Sequence, residues 1–227
     1  MINRNYSFKE IKDVLALNCV TDQEETELIR SADLVAGEKI SLVAAAAESV
    51  PMLWAWLEKA PVHIVSRFYL SDEHDKKSKA RQDISGLSEK IKAVFKKGAA
   101  GAQIFLAYSD LNALVCELSP IRDDLFFNKS LTLSLNINEV SVSDWPDVFA
   151  ELKKIKADAV LFHLSKNKNN ADFVGRVYGL LEFWSPEITT ELQFALGDDY
   201  EKAEQVWRLT QKMRPEIAPR LKLFIDV

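Results

Sequence analysis

Short apolar runs separated by helical patterns recur along the whole chain. The clearest run, residues 157–166, is mainly apolar from Ala157 to Leu164, with Asp158 and His163 as its polar residues, and it becomes abruptly polar at Ser165. This pattern is typical of a buried parallel strand whose C-terminal end opens onto a site. Seven other runs have the same character: 14–19, 40–45, 62–70, 102–108, 131–138, 191–196 and 221–225.

The segments between these runs carry apolar residues at helical spacing. Leu87, Ile91 and Val94 show this spacing before the fourth run, and Pro51 and Pro146 stand where helices begin. Eight strands alternating with seven helices predict the α/β class and a (β/α)8 TIM barrel of eight parallel strands, with the last helix missing. We expect a single domain over 1–227. The alternative is an open doubly wound sheet, but its glycine-rich nucleotide-binding motifs are absent from every strand-to-helix turn.

Composition narrows the expected partners and compartment. The 227 residues carry a net charge of −5 with both signs interspersed, so neither a nucleic acid nor an anionic membrane surface is an expected partner. Cys19 and Cys116 each lie in an apolar pattern and are expected to be reduced. The N-terminus lacks the apolar core of a signal peptide, and charged residues interrupt the longest apolar stretch. We expect a cytoplasmic protein.

Several segments resemble the class I aldolase barrels, most closely deoxyribose-phosphate aldolase. They are Thr21-Asp22-Gln23-Glu24-Glu25 after strand one, Ser49-Val50-Pro51 after strand two, 89–99 before strand four and Lys156-Ala157-Asp158-Ala159-Val160 entering strand six. The resemblance extends through most of the chain and implies the barrel fold.

The resemblance also implies where catalytic groups should stand, and this chain departs from the family there. The Schiff-base lysine of strand six falls at Leu161, the aspartate of strand four at Gln103, and the lysine of strand seven at Gln193. Leucine cannot form an iminium, and an amide cannot relay a proton at neutral pH. Schiff-base aldolase activity is therefore not expected. Asp198 and Asp199 follow strand seven and would repel a phosphate where such barrels usually bind one.

Strand alternation predicts which side chains face the barrel interior. If Leu161 points inward, His163 and Ser165 do so as well, and Arg67 and Tyr69 are the expected inward pair on strand three. The other expected interior residues are Gln103, Ala107, Thr132, Ser134, Asn136, Asn138, Gln193 and Gly197.

Two functional hypotheses follow from this interior. In the first, a lyase or isomerase acts on a small carbonyl or carboxylate compound without a Schiff base, and His163 is its acid/base catalyst. Arg67 would hold an anionic group, while the other substrate-binding groups would be Gln103, Asn136, Gln193 and Ser165.

In the second hypothesis the barrel is non-catalytic and serves ligand binding or protein assembly. His163 would then be a hydrogen-bonded core residue, and Arg67 would form an internal ion pair with Glu48 or Glu139. An open pocket beside His163 and Arg67 would favour the enzyme, whereas side chains that close on one another would favour the second hypothesis. No cofactor is expected, and no metal site is expected because the three histidines are scattered along the chain.

Two surface features complete the expectations. The charged segment 71–82 follows strand three and is expected to be a mobile flap over the C-terminal face. Trp54, Trp56 and Trp184 are expected to leave an aromatic patch suited to subunit contacts, which would make the protein a homo-oligomer.

Overall fold

The computed structural model describes residues 11–19, 25–70, 84–164, 173–184 and 188–226. Its eight parallel strands form a closed barrel in the order of the sequence, and the last strand pairs with the first. The strands are β1 (Leu15–Asn18), β2 (Leu42–Ala46), β3 (His63–Tyr69), β4 (Gly101–Leu106), β5 (Ser130–Asn136), β6 (Ala159–His163), β7 (Glu191–Ala195) and β8 (Lys222–Asp226). The predicted (β/α)8 TIM barrel is confirmed.

Helices connect each strand to the next around the outside of the barrel. They are α1 (Glu25–Glu38), α2 (Val50–Leu57), α3 (Leu87–Phe95), α4 (Leu111–Leu118), α5 (Arg122–Leu125), α6 (Trp145–Lys154), α7 (Phe173–Phe183) and α8 (Tyr200–Met213). The connection between β4 and β5 contains two of these helices. No helix follows β8 in the described chain, and none of the described helices is long and apolar enough to cross a membrane.

The alternation of side chains along each strand separates two apolar regions. On β5, Leu131, Leu133 and Leu135 face the helices and belong to the large outer core. A second, smaller apolar cluster lies inside the barrel, and six strands each contribute one residue to it. Its members are Ala16, Ala44, Val65, Phe105, Leu161 and Phe224. We call this cluster the central plug.

Strand five is shorter than its apolar pattern predicts. The predicted run extends to residue 138, but the strand ends at Asn136 and a turn follows. The Asn136 side chain stabilises this turn, because its Oδ1 accepts a hydrogen bond from the Asn138 backbone N–H at 3.0 Å. Asn138 is therefore a turn residue and does not extend the polar face of the strand.

Some expectations fall on residues outside the described ranges. These include the segment 71–82, which is expected to form a flap, and Ser165, which is expected to bind substrate. The predicted aromatic patch needs one correction. Trp184 is only 1% exposed and packs edge-on against Phe149, so it belongs to the core. Trp54 and Trp56 are exposed on α2.

Candidate functional site

Parallel barrels place their sites at the face where the strands end, which we call the C-terminal face. The register brings the predicted side chains to neighbouring positions there. Arg67 lies beside Gln103, and Asn136 lies beside His163. All five predicted residues within the described ranges are buried: Arg67, Gln103, Asn136, His163 and Gln193. The geometry therefore gathers them on one interior surface but leaves little of them exposed to solvent.

His163 is held by its neighbours on β4 and β5. Its Nδ1 lies 2.8 Å from the Ser134 hydroxyl, and its ring lies 5.4 Å from the ring of Phe105. The side chain is 4% exposed. The hydroxyl and the ring nitrogen satisfy each other inside the barrel, and such a bond fixes the orientation of the imidazole.

Arg67 uses its guanidinium to link the beginning of the barrel to its end. One terminal nitrogen donates to Asn18 Oδ1 at 3.1 Å, and the other donates to the backbone carbonyl of Cys19. Asn18 Nδ2 then donates to Asp226 Oδ1 at 2.8 Å. We call these three side chains the Arg67–Asn18–Asp226 chain. It joins β3, β1 and β8 across the closure of the barrel.

The predicted carboxylate partners of Arg67 are not the ones observed. Glu139 accepts a bond from the Tyr108 backbone N–H at 3.1 Å, and its other oxygen accepts from Asn136 Nδ2 at 3.4 Å. Arg67 instead bonds to an amide oxygen and a carbonyl. Asn18 and Asp226 were not singled out from the sequence, although barrel closure places the ends of the first and last strands together.

The same arginine affects a buried thiol. Burial raises the pKa of the Cys19 thiol, while the Arg67 charge and a hydrogen bond involving Ser31 oppose that rise. Removal from water disfavours the thiolate, so Cys19 has the environment of a structural cysteine. Both cysteines are free, but only Cys19 is packed in the core as its apolar pattern predicts, whereas Cys116 is exposed on α4.

Leu161, which the sequence resemblance aligns with the Schiff-base lysine, lies among apolar side chains. Leu161 is 1% exposed and belongs to the central plug. Lys222 faces the interior by register, yet its Nζ donates to the backbone carbonyl of Asp13 at 3.1 Å. Since Asp13 precedes β1, this amine lies at the opposite end of the barrel from His163.

Two interior amides are incompletely bonded. Within the described part of the chain, neither amide atom of Gln103 has a hydrogen-bond partner, and the same is true of Gln193 Oε1. Gln103 is 0% exposed. A buried polar group without a partner costs roughly 1–3 kcal/mol. No group of three or more metal-ligating side chains occurs among the described residues.

Comparisons with known proteins support the fold. No family model matches the chain, and no curated protein matches it. Among solved structures, the tetrameric deoxyribose phosphate aldolase of Aeropyrum pernix aligns with a TM-score of 0.74 at 11% identity, covering 96% of this chain and 87% of that one. D-psicose 3-epimerase of Clostridium cellulolyticum H10 aligns with a TM-score of 0.57 at 10% identity, covering 93% and 84%. The chain thus has the fold of an aldolase-type TIM barrel.

Proposed function

We propose that this aldolase-like barrel is non-catalytic and acts by binding other proteins. The observation that carries the proposal is the central plug, which packs apolar side chains from six strands, including Leu161, inside the barrel. The resemblance to the aldolases aligns Leu161 with their Schiff-base lysine. A substrate needs a concave space beside the reacting groups, and here the side chains close on one another instead.

The polar residues around the central plug support the same conclusion. His163 is bonded to Ser134, and Arg67 is bonded to Asn18 and Cys19. An acid/base catalyst must reach the proton that it transfers, and an anion-binding arginine needs donors directed at the anion. These contacts instead direct Nδ1 of His163 and the two terminal nitrogens of Arg67 toward the protein itself, while Arg67 Nε has no hydrogen-bond partner among the described residues.

A lyase or isomerase acting on a small carbonyl or carboxylate compound is the second candidate. The amide atoms of Gln103 and Gln193 Oε1 favour it, because a bound small molecule could supply the partners that they lack. Asn18, Tyr69 and Asp226 are also partly exposed near the C-terminal ends of their strands. In this candidate, His163 is the acid/base and Arg67, Gln103, Asn136, Gln193 and Ser165 bind the substrate.

Turnover assays with covalent trapping distinguish the two candidates. The protein is incubated with deoxyribose 5-phosphate, acetaldehyde and a panel of small carbonyl and carboxylate compounds, and turnover is followed by NMR. A second sample is reduced with borohydride and mapped by mass spectrometry. We expect no turnover and no adduct on any strand lysine, because Leu161 replaces the required amine.

The variant His163→Gln completes the test. Turnover by the wild-type protein that disappears in His163→Gln would replace our proposal with the lyase or isomerase. A reduced adduct on a strand lysine would restore Schiff-base chemistry. Phe183→Ser is the control, since Phe183 is exposed on α7, whereas Ser134 and Phe105 are the residues that hold His163.

Self-association is a separate prediction. The Aeropyrum pernix aldolase is a tetramer, and this chain exposes Trp54 and Trp56 on α2. Exposed aromatic residues are enriched in subunit interfaces. The homo-oligomer expected from the sequence therefore remains part of the proposal, and light scattering coupled to size exclusion measures it directly.

A further inference from the structure

A wide cleft opens at the N-terminal face, the end of the barrel opposite His163. Its volume is about 790 Å³. The segments leading into β5, β6, β7 and β8 form its walls, through Ser130, Asp158, Glu191 and Arg220 respectively. None of the site residues described above lines this cleft, so it needs its own explanation.

The cleft lining is mainly cationic, although the chain as a whole is acidic. Four basic side chains line it, and two carboxylates oppose them. The basic residues are Arg122, Lys129, Lys156 and Arg220, and the acidic residues are Asp158 and Glu191. Asp123, which pairs with Lys156, adds a third carboxylate at this face, so four basic side chains face three acidic ones, an excess of one positive charge on a chain whose net charge is −5.

Internal contacts hold the cleft walls in place. Arg122 donates to Asp158 Oδ2 at 2.6 Å, and the same oxygen accepts the Leu131 backbone N–H at 2.7 Å. Lys156 donates to Asp123 at 2.6 Å, and Lys129 donates to the Ala99 carbonyl at 2.7 Å. Walls that are already ordered lose little conformational entropy when a partner binds.

An exposed aromatic residue lies between two lining residues in the sequence. Phe127 is 74% exposed, the highest value among the exposed large hydrophobic residues of the described chain. Its sequence neighbours Phe126 and Asn128 both line the cleft, and Asn128 has a left-handed backbone with φ of 58°. Aromatic side chains at the edge of a polar cleft are frequent anchors in protein interfaces.

We propose that this N-terminal cleft is a docking site for an acidic, partly apolar protein segment. The inference rests on the proposed function, because it identifies the surface through which a non-catalytic barrel would bind its partner. Carboxylates of the segment would face Arg220 and Lys156, where they would replace Asp123 in an exposed ion pair that contributes little stability. An apolar side chain of the segment would pack on Phe127. Complementary charge gives such contacts their specificity and association rate.

The composition of the cleft favours a protein segment over other anions. Asp158 and Glu191 lie within the lining, where they would repel a compact phosphate or the closely spaced phosphates of a nucleic acid. An extended peptide can place carboxylates opposite the basic residues and its neutral amides opposite these two acids. An apolar side chain of the peptide can also pack on Phe127, whereas a free phosphate has no apolar group that could do so.

The test measures binding of a defined acidic peptide to the full-length protein. The probe is a fluorescein-labelled peptide with Glu-Glu-Leu-Gly repeated three times, and binding is followed by fluorescence anisotropy. We expect saturable binding that weakens as NaCl rises from about 50 to about 200 mM, because salt screens exposed charges. The same peptide with lysine in place of glutamate should not bind.

Cleft variants identify where the probe binds. The double variant Lys156→Glu and Arg220→Glu is expected to lower the affinity about tenfold, and Phe127→Ala to lower it by a similar factor. The matched control is the double variant Arg30→Glu and Lys90→Glu. It changes the net charge of the protein by the same amount, but the two residues are exposed on α1 and α3, which do not line the cleft. It should lower the affinity less than twofold.

Several results would overturn the inference. One is the absence of saturable binding at peptide concentrations up to about 1 mM, which would place the dissociation constant above about 1 mM. Another is an equal loss of affinity in the cleft and control variants. Displacement of the probe by inorganic phosphate, or tighter binding of a short RNA, would reassign the cleft to those anions. Turnover lost in His163→Gln would refute the proposed function while leaving a positive cleft result intact.

Discussion

The two faces of the barrel hold their polar residues in different environments. At the C-terminal face, Arg67 bonds to Asn18, Asn18 bonds to Asp226 and His163 bonds to Ser134, and both Arg67 and His163 are buried. At the N-terminal face, Lys156 pairs with Asp123, and this pair and Arg220 are exposed beside an open cleft. In most barrels of this type the C-terminal face carries the site and the N-terminal face carries stability. Since a buried polar group that loses its partner costs more than an exposed one, loss of Arg67 should cost more stability than loss of Arg220.

The largest expected effect tests whether the central plug excludes a charged group. Leu161→Lys should lower the free energy of unfolding by about 3–5 kcal/mol, because it buries an uncompensated charge among apolar side chains. Leu161→Met is the matched control and should cost less than about 1.5 kcal/mol. Urea denaturation measures both. A lysine variant with wild-type stability would show that the interior has room for an amine and therefore for a substrate.

A smaller effect compares two arginines at opposite faces. Arg67→Met leaves Asn18 Oδ1 and the Cys19 carbonyl without their donor and should lower the free energy of unfolding by about 2 kcal/mol. Arg220→Met alters an exposed side chain and should change it by less than about 0.5 kcal/mol. Urea denaturation of both variants gives the difference. Equal effects would mean that the Arg67–Asn18–Asp226 chain contributes no stability, and our interpretation of the C-terminal face would fail.

The smallest effect concerns the pH dependence contributed by Glu191 in the N-terminal cleft. Loss of hydration raises the pKa of its carboxyl group above 4.5, while Lys222 and Arg220 oppose the rise. A raised pKa means that the group favours the folded state below its unfolded pKa, and this contribution is lost as pH rises through the folded pKa. At pH 7 the ionised Glu191 therefore disfavours the folded state, and glutamine removes that cost. The free energy of unfolding of Glu191→Gln, relative to that of the wild type, should be higher at pH 7 than at pH 4.

Thermal unfolding of both proteins at the two pH values gives the measurement, and the pH 4 pair is the internal control. A variant that is less stable than the wild type at pH 7 would contradict the prediction. That result would mean that attraction to Lys222 and Arg220 outweighs the loss of hydration at the cleft wall.

Periodic features of the chain were predictable from the sequence. The alternation on β5 and β6 correctly distinguishes Leu133 and Phe162 in the outer core from Ser134 and Leu161 inside the barrel. The alternation of side chains along a strand depends only on which face is buried, so it can be recognised without knowing which residues pack against that face. The barrel and the buried state of His163 follow from the same reasoning.

Features that depend on contacts between distant segments were not predictable. The expected partners of Arg67 were carboxylates, but the observed ones lie on β1 and just after it. Asn18 and Asp226 meet only because the barrel closes. The N-terminal cleft is formed by turns before four different strands, and turns carry no hydrophobic period that would reveal a shared surface.

The closure of the barrel by β1 and β8 also has a consequence for how the chain folds. Asn18 and Asp226 are 208 positions apart in sequence, so their bond forms only after the ribosome has synthesised the chain through β8. Pairing of such remote segments carries a large loop-closure entropy and slows the acquisition of the native topology. During translation, the edges of β1 and of the growing sheet remain unpaired, and chaperone binding at these edges would protect the nascent chain from aggregation.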